Sequence, residues 1–181
     1  QSAARRIAAL WALEALDGTE LHDRGAEYLL LLKPLLTDSN RNIRREAVRV
    51  LGLRTPVITG QGGLWSEWFD ALAPLTNDPD AEGRAQLIKT VNASRTMLHL
   101  SSDPQTAKLS FQRAVPLLIG MAQPSLASPT MRSTSTGRTI PTGVAYEREF
   151  ERYLVRMLFE RAPMLLDHFL DQSEAMALPA E

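Results

Sequence analysis

Two stretches of this chain repeat one another at an offset of 40 residues. Pro34-Leu35 matches Pro74-Leu75, Asp38 matches Asp78, Asn40 matches Asp80, Arg44 matches Arg84, Val48 matches Ile88 and Leu51 matches Val91. The first stretch reads PLLTDSNRNIRREAVRVLG and the second PLTNDPDAEGRAQLIKTVN. A weaker relative, RRIAALWALEAL, opens the chain, with Arg5 39 residues before Arg44. In mechanical terms, a helix ends, a short polar turn carries an aspartate, and a second helix begins with a basic residue in its first turns. Helix pairs of this length cannot bury both apolar faces alone, so they stack on neighbouring pairs. A stacked array is the favoured reading, and a non-repetitive bundle with two similar hairpins is the alternative.

Nearly all the remaining pattern is helical. Ile7, Leu10, Trp11, Leu13 and Leu16 give a stripe that ends at Asp17-Gly18. A helix is expected over 26–36, bent or restarted at Pro34, which lacks the donor a continuous helix needs. Asn40 caps a helix over 41–51, and Gly52 stands in the usual C-terminal place. Residues 53–63 read as a loop with Pro56, Gly60, Gly62 and Gly63 as breakers. Further helices are predicted over 64–76, over 81–93 with extension to 99, over 104–121 with Asp103 as cap and Pro104 first, over 146–161 and over 163–175. Residues 123–145 differ in kind: they are rich in Ser and Thr, hold three prolines and carry almost nothing that packs. So little apolar surface cannot offset the entropy of ordering, which predicts a flexible or extended insertion.

The candidate binding feature lies on the helix over 41–51. At 100° per residue Ile43, Ala47, Val50 and Leu51 point one way, while Arg41, Arg45 and Arg49 point the other, with Arg44 near one edge. Such a face is an ordinary charged surface, a contact for an acidic protein, or a contact for phosphates. Nucleic acid is the least favoured of the three, because no aromatic side chains interleave with the arginines. Arg5, Arg6 and Arg84 extend the face if the repeats stack in register. Trp65 and Trp68 are expected in core or inter-repeat packing, with one of them available to a contact surface.

Other chemistry is sparse. The chain has no cysteine, so it offers no disulfide, thiolate ligand, Cys nucleophile or thioether attachment for haem. His22, His99 and His168 are far apart and form no metal-binding spacing. Glu147, Glu149 and Glu151 alternate with Arg148 and Arg152, a pattern more economically read as ion pairing than as acid–base catalysis. Gly60-Gln61-Gly62-Gly63 is read as a flexible loop, since no Lys-Ser/Thr follows it to make a phosphate loop. Lys and Arg number 20 against 21 Asp and Glu, which excludes a strongly basic or acidic tail. The apolar runs fall short of about 18 residues, so no membrane span is predicted. The opening Gln1-Ser2-Ala3, without Met and leading straight into an apolar run, is what a fragment or processed piece would show.

The period and the turn chemistry resemble HEAT repeats. On those segments the fold expected is all-α: a HEAT-like α-solenoid of about four helical pairs with a Ser/Thr/Pro-rich insertion. Its expected organisation is repeats over 1–122, the insertion over 123–145, and a closing helical pair over 146–181. ALWALEAL, LLTDSNRNIRREAVRVLG, NDPDAEGRAQLIKTV and EREFERYLVRMLFER together resemble the HEAT region of exported, membrane-bound dehydrogenase-like proteins of Planctomycetes and Verrucomicrobia. Proteins of that family join a β-propeller, HEAT repeats and a cytochrome c domain. The resemblance implies a periplasmic or otherwise exported setting and a parent carrying haem c, with no cofactor in this chain and no family catalytic residue placed on it. It implies a non-catalytic scaffold or docking module whose partners are proteins or neighbouring domains of the same parent. A structural part of a multidomain haem-containing dehydrogenase and a nucleic-acid-binding helical repeat are the alternatives.

Overall fold

A computed structural model describes residues 2–16, 25–53, 62–99, 104–161, 163, 167, 170 and 171. The chain is mostly helical. In order, it forms α1 (Ala3–Leu16), α2 (Gly25–Leu32), α3 (Arg41–Leu53), α4 (Gly62–Leu72), α5 (Ala81–His99), α6 (Pro104–Met121), β1 (Thr130–Ser133), β2 (Thr139–Thr142) and α7 (Val144–Glu160). It divides into two compact units, Gln1–Val115 and Pro116–Glu181. The division falls inside α6 at Pro116, a residue that cannot donate a helix hydrogen bond.

The first unit is built on a repeated joint. The run of α2 stops at Leu32, and Lys33–Thr37 tightens into a 3-10 turn with Pro34 near its start. Forty residues on, α4 stops at Leu72 and Ala73–Asn77 forms the matching turn around Pro74. In each case the proline removes a helical donor and its ring crowds the preceding turn. Thr37 Oγ1 donates to the Pro34 carbonyl (3.3 Å), and Thr76 Oγ1 donates to the Ala73 carbonyl (2.8 Å). The helix expected over 64–76 is therefore split at Leu72, because Pro74 acts as Pro34 does.

The aspartate that follows each turn builds the next helix start. The Asn40 amide donates to Asp38 Oδ1 (2.8 Å), and the Asp80 amide donates to Asp78 Oδ1 (2.8 Å). Asn40 Oδ1 then accepts from the Asn42 amide (3.0 Å), and Asp80 Oδ2 accepts from the Gly83 amide (3.0 Å). Both caps satisfy first-turn donors that a helix leaves open.

Apolar burial follows the same register. Tyr28, Leu29 and Leu32 of α2 are buried, and so are Trp68, Phe69 and Leu72 at the equivalent positions of α4. Trp68 and Phe69 meet edge to face, with ring centroids 4.9 Å apart. Across from them lie Ile43, Ala47, Val50 and Leu51 of α3 and Leu87, Ile88 and Val91 of α5, all buried. The α3 helix packs between α1 and α5, and α2 lies beside α4, which gives two rows of helices in this unit.

Gly52 does not end α3: it lies inside the helix and is buried. A Cβ there would come within 2.7 Å of Thr90 Oγ1 and 2.9 Å of Thr90 Cγ2. The glycine lets α3 and α5 approach closely, and Thr90 Oγ1 uses that approach to donate to the Val48 carbonyl (3.0 Å). Gly62 and Gly63, read as loop, begin α4, while residues 54–61 lie outside the described residues.

In the second unit, residues 130–142 form an antiparallel hairpin with Thr130 opposite Thr142 and Ser133 opposite Thr139. Strand pairing supplies order here without a packed core, since every residue of β1 is exposed. The hairpin turns at Gly137 (φ 74°), and Gly143 (φ 86°) leads from β2 into α7. Both glycines occupy backbone space that side chains disfavour. On α7, Ala145, Glu151 and Val155 are buried, and Arg148 Nη1 donates to Glu151 Oε2 (2.8 Å). Of the helix expected over 163–175, only 163, 167, 170 and 171 fall among the described residues.

Candidate functional site

The arginine face of α3 is the candidate site, and its surroundings decide what it can do. Arg44 is the innermost of the row. Its Nε and Nη2 donate to Asp78 Oδ2 (2.6 Å) and Oδ1 (2.7 Å), a two-point fork, while Nη1 donates to the Asp38 carbonyl (2.8 Å). The planar guanidinium suits this geometry, since it presents parallel donors to both carboxylate oxygens. The Asp78 side chain is only 3% exposed and that of Arg44 13%.

The same strap occurs one repeat earlier and begins again one repeat later. Arg6 Nη1 reaches Asp38 Oδ2 at 2.6 Å. Arg84 Nη1 donates to the Asp78 carbonyl (2.6 Å), as Arg44 does to the Asp38 carbonyl. Each turn aspartate is thus held by an arginine of the preceding second helix. Arg6, not Arg5, fills this role on α1.

The other three arginines are also matched by carboxylates. Arg41 approaches Asp80 Oδ1 at 3.4 Å, and Arg45 pairs with Glu82, both at the start of α5. Arg49 turns the opposite way: Nη2 and Nη1 donate to Glu14 Oε2 (2.6 Å) and Oε1 (3.1 Å) on α1, and Nε donates to Glu46 Oε2 (2.8 Å). Trp11 Nε1 donates to that same Glu46 oxygen (2.9 Å). One helix therefore sends cations both backward and forward along the row.

The electrostatics agree with the geometry. Fork bonding to Asp78 raises the Arg44 pKa against the opposing effect of burial. Asp78 itself is pushed up by burial, but its hydrogen bonds to Arg44 and to the Asp80 amide outweigh this, and its pKa is lowered. Asp38 is lowered first by the Asn40 amide and then by Arg6. For Glu46, burial raises the pKa, while Trp11 and Arg49 lower it by more. Arg49 is raised, chiefly by Glu14. These groups are charged together, each holding the other's charge.

The predicted residues thus come together only in part. Arg41, Arg44, Arg45 and Arg49 share one face, as their spacing implies, but the face is largely neutralised by Glu14, Glu46, Asp78, Asp80 and Glu82. Arg41 remains the most open, with its side chain 67% exposed. Trp68 is 1% exposed and belongs to the core, so it offers nothing to a contact surface. Trp65 lies on α4, and its side chain is outside the described residues, as are His22, His168 and the side chain of His99. Of the carboxylates at the start of α5, Asp80 was visible in the sequence as the repeat partner of Asn40, and Glu82 was not singled out. Their reach to α3 became visible only once the helices were stacked.

The charged side chains of α7 in the second unit pair along the helix. Glu149 pairs with Arg152 (2.8 Å) and Glu160 with Arg156 (3.1 Å), an arrangement of i,i+3 and i,i+4 ion pairs along α7. An open depression of about 730 Å3 lies along this helix, lined by Ala122, Tyr153, Val155 and Phe159 with both arginines. Among the described residues, no group of three His, Asp or Glu is placed to hold a metal ion, and no helix is long and apolar enough to cross a membrane. No protein-family model matches the chain, and no curated protein or solved structure matches it either.

Proposed function

We propose that the first unit is a short α-solenoid of HEAT type that acts as a non-catalytic scaffold or docking module for proteins or neighbouring domains. The observation that carries this reading is the repeated joint: helix, proline turn, aspartate, cap, helix, with each aspartate strapped to the preceding repeat. A strap of this kind sets the angle between successive pairs and keeps an extended row rigid, as a presenting surface requires. The reading assigns the chain no bond-making step. A parent protein with haem-dependent dehydrogenase activity fits it as a setting, with this chain as the spacer.

The docking face in this reading is the solvent side of α3 and the start of α5, where Arg41, Arg45 and Glu82 present both signs of charge. Arg44 and Arg49 act inward as straps. A mixed-charge face gives a partner orientation and an encounter rate more than raw affinity. Chemical cross-linking of the native protein in its own cells tests this. Cross-links through α3 are expected in the wild type and are lost in the Arg41→Glu/Arg45→Glu double variant, with the circular dichroism unchanged. Cross-links that persist in the variant would remove this face as the site. Turnover of a substrate by the chain alone would remove the non-catalytic reading.

A further inference from the structure

The hairpin of the second unit has two unequal edges. The Thr134 amide donates to the Arg138 carbonyl (2.8 Å), and this sets the parity of the ladder. Pairs 132/140 and 130/142 are then hydrogen-bonded, while 131/141 and 133/139 lie between them. Pro141 therefore turns its nitrogen toward the outer edge of β2, and it has no proton to offer there. Proline is a standard way to close a strand edge. The β1 strand has no such guard. Met131 and Ser133 share the parity of Pro141, so their N–H and C=O groups point to the open side of β1.

A two-stranded hairpin is marginal in water unless a third strand or a packed face supports it. Among the described residues no third strand joins this one, and every residue of β1 is exposed. Met131 is 58% exposed on one face of the strand, and Arg132 lies on the other face beside Ile140. Between Asp103 and Glu147 the sequence has no acidic residue, and the hairpin itself carries Arg132 and Arg138.

We propose that the open edge of β1 takes an extended segment of a partner protein whose side chains alternate between acidic and apolar. The backbone of Met131 and Ser133 supplies the ladder, Arg132 meets an acid on one face, and Met131 meets an apolar side chain on the other. The charge selects against a second copy of this chain. The hairpin has no acid to offer, and two β1 edges would bring Arg132 toward Arg132. The proposal concerns the second unit alone, so it stands or falls apart from the repeat reading of the first.

The test uses the full chain and a short fluorescent peptide of alternating Asp and Val, followed by anisotropy, with an alternating Lys and Val peptide as control. Saturable binding of the Asp–Val peptide alone is expected, with slowed amide exchange at Met131 and Ser133. Arg132→Glu should weaken it by about tenfold or more, and Met131→Pro, which deletes an outward donor, should abolish it. If circular dichroism shows that Met131→Pro has unfolded the hairpin, Arg132→Glu and the exchange data decide. The proposal is overturned by no saturable binding, by equal binding of the Lys–Val peptide, or by binding that survives in the variants. Self-association that protects the same amides without peptide would overturn it too.

Discussion

A single carboxylate, Asp78, accepts two bonds from Arg44 and one from the Asp80 amide while nearly excluded from water. An anion in that position is tolerable only because its partners fill its lone pairs. Asp78→Ala leaves the Arg44 guanidinium and the Asp80 amide without their acceptor. It should lower unfolding free energy by about 2–4 kcal/mol, read as a shift in urea midpoint. A double-mutant cycle with Arg44→Ala should return a coupling of about 1–3 kcal/mol, since the two side chains share one bonded unit. Arg41→Ala, which loses only a long contact at an exposed edge, should be indistinguishable from wild type. The depressed pKa values of Asp78, Asp38 and Glu46 also fix a pH response. A carboxylate whose folded pKa lies below its unfolded value of about 4 stabilises the fold above that value and loses the contribution as the pH falls through the folded pKa. Melting temperature should therefore hold level from neutral pH to about pH 5 and fall below about pH 4, less steeply in Asp78→Asn.

Two elements, α3 and α5, meet across Gly52 and Thr90. Gly52→Ala would press a methyl group onto Thr90 at a distance that carbon atoms do not adopt. The helices must part or Thr90 must give up its bond to Val48, at about 1–3 kcal/mol. Combining Gly52→Ala with Thr90→Ala relieves the clash, so the pair should cost less than the sum of the single changes; additive costs would show that Gly52 matters for another reason. This position also marks the limit of what the sequence could tell. Read along one helix, Gly52 resembles a stop signal, because its reason lies 38 residues away on another helix. Pro34 was legible as a break, and its repeat partner Pro74 carried the same information, yet the apolar run through 64–76 obscured it. The arginine row was legible as a face. Its partners were not, because periodicity gives the direction of a side chain but not what is stacked against it. The hairpin lay in a segment whose composition predicted little packing, and strand pairing, which composition does not encode, ordered it.

Over the whole molecule, the near balance of charge turns out to be distributed. Among the described residues of the first unit, Arg6, Arg44, Arg45 and Arg49 pair with acids of neighbouring helices and turns, and the stretch from 104 to 146 keeps its positive charge uncompensated by any acid of its own. The two compact units also carry separate cores, Trp68, Leu32 and Leu51 among the buried residues of one, and Leu118, Met121 and Val155 in the other. This has an experimental handle, because Trp11, Trp65 and Trp68 all belong to the first unit and the second has no tryptophan. Tryptophan emission therefore reports the unfolding of the first unit, and amide exchange at Val155 reports the second. Asp78→Ala should shift the emission midpoint to lower denaturant while leaving protection at Val155 as in the wild type. Glu151→Ala, which exposes the Arg148 cation to the loss of its buried partner, should do the reverse, with a cost of about 2–4 kcal/mol confined to the exchange of α7. If either variant moves both signals by the same amount, the chain unfolds as one cooperative block, and the two units are divisions of geometry without separate stability.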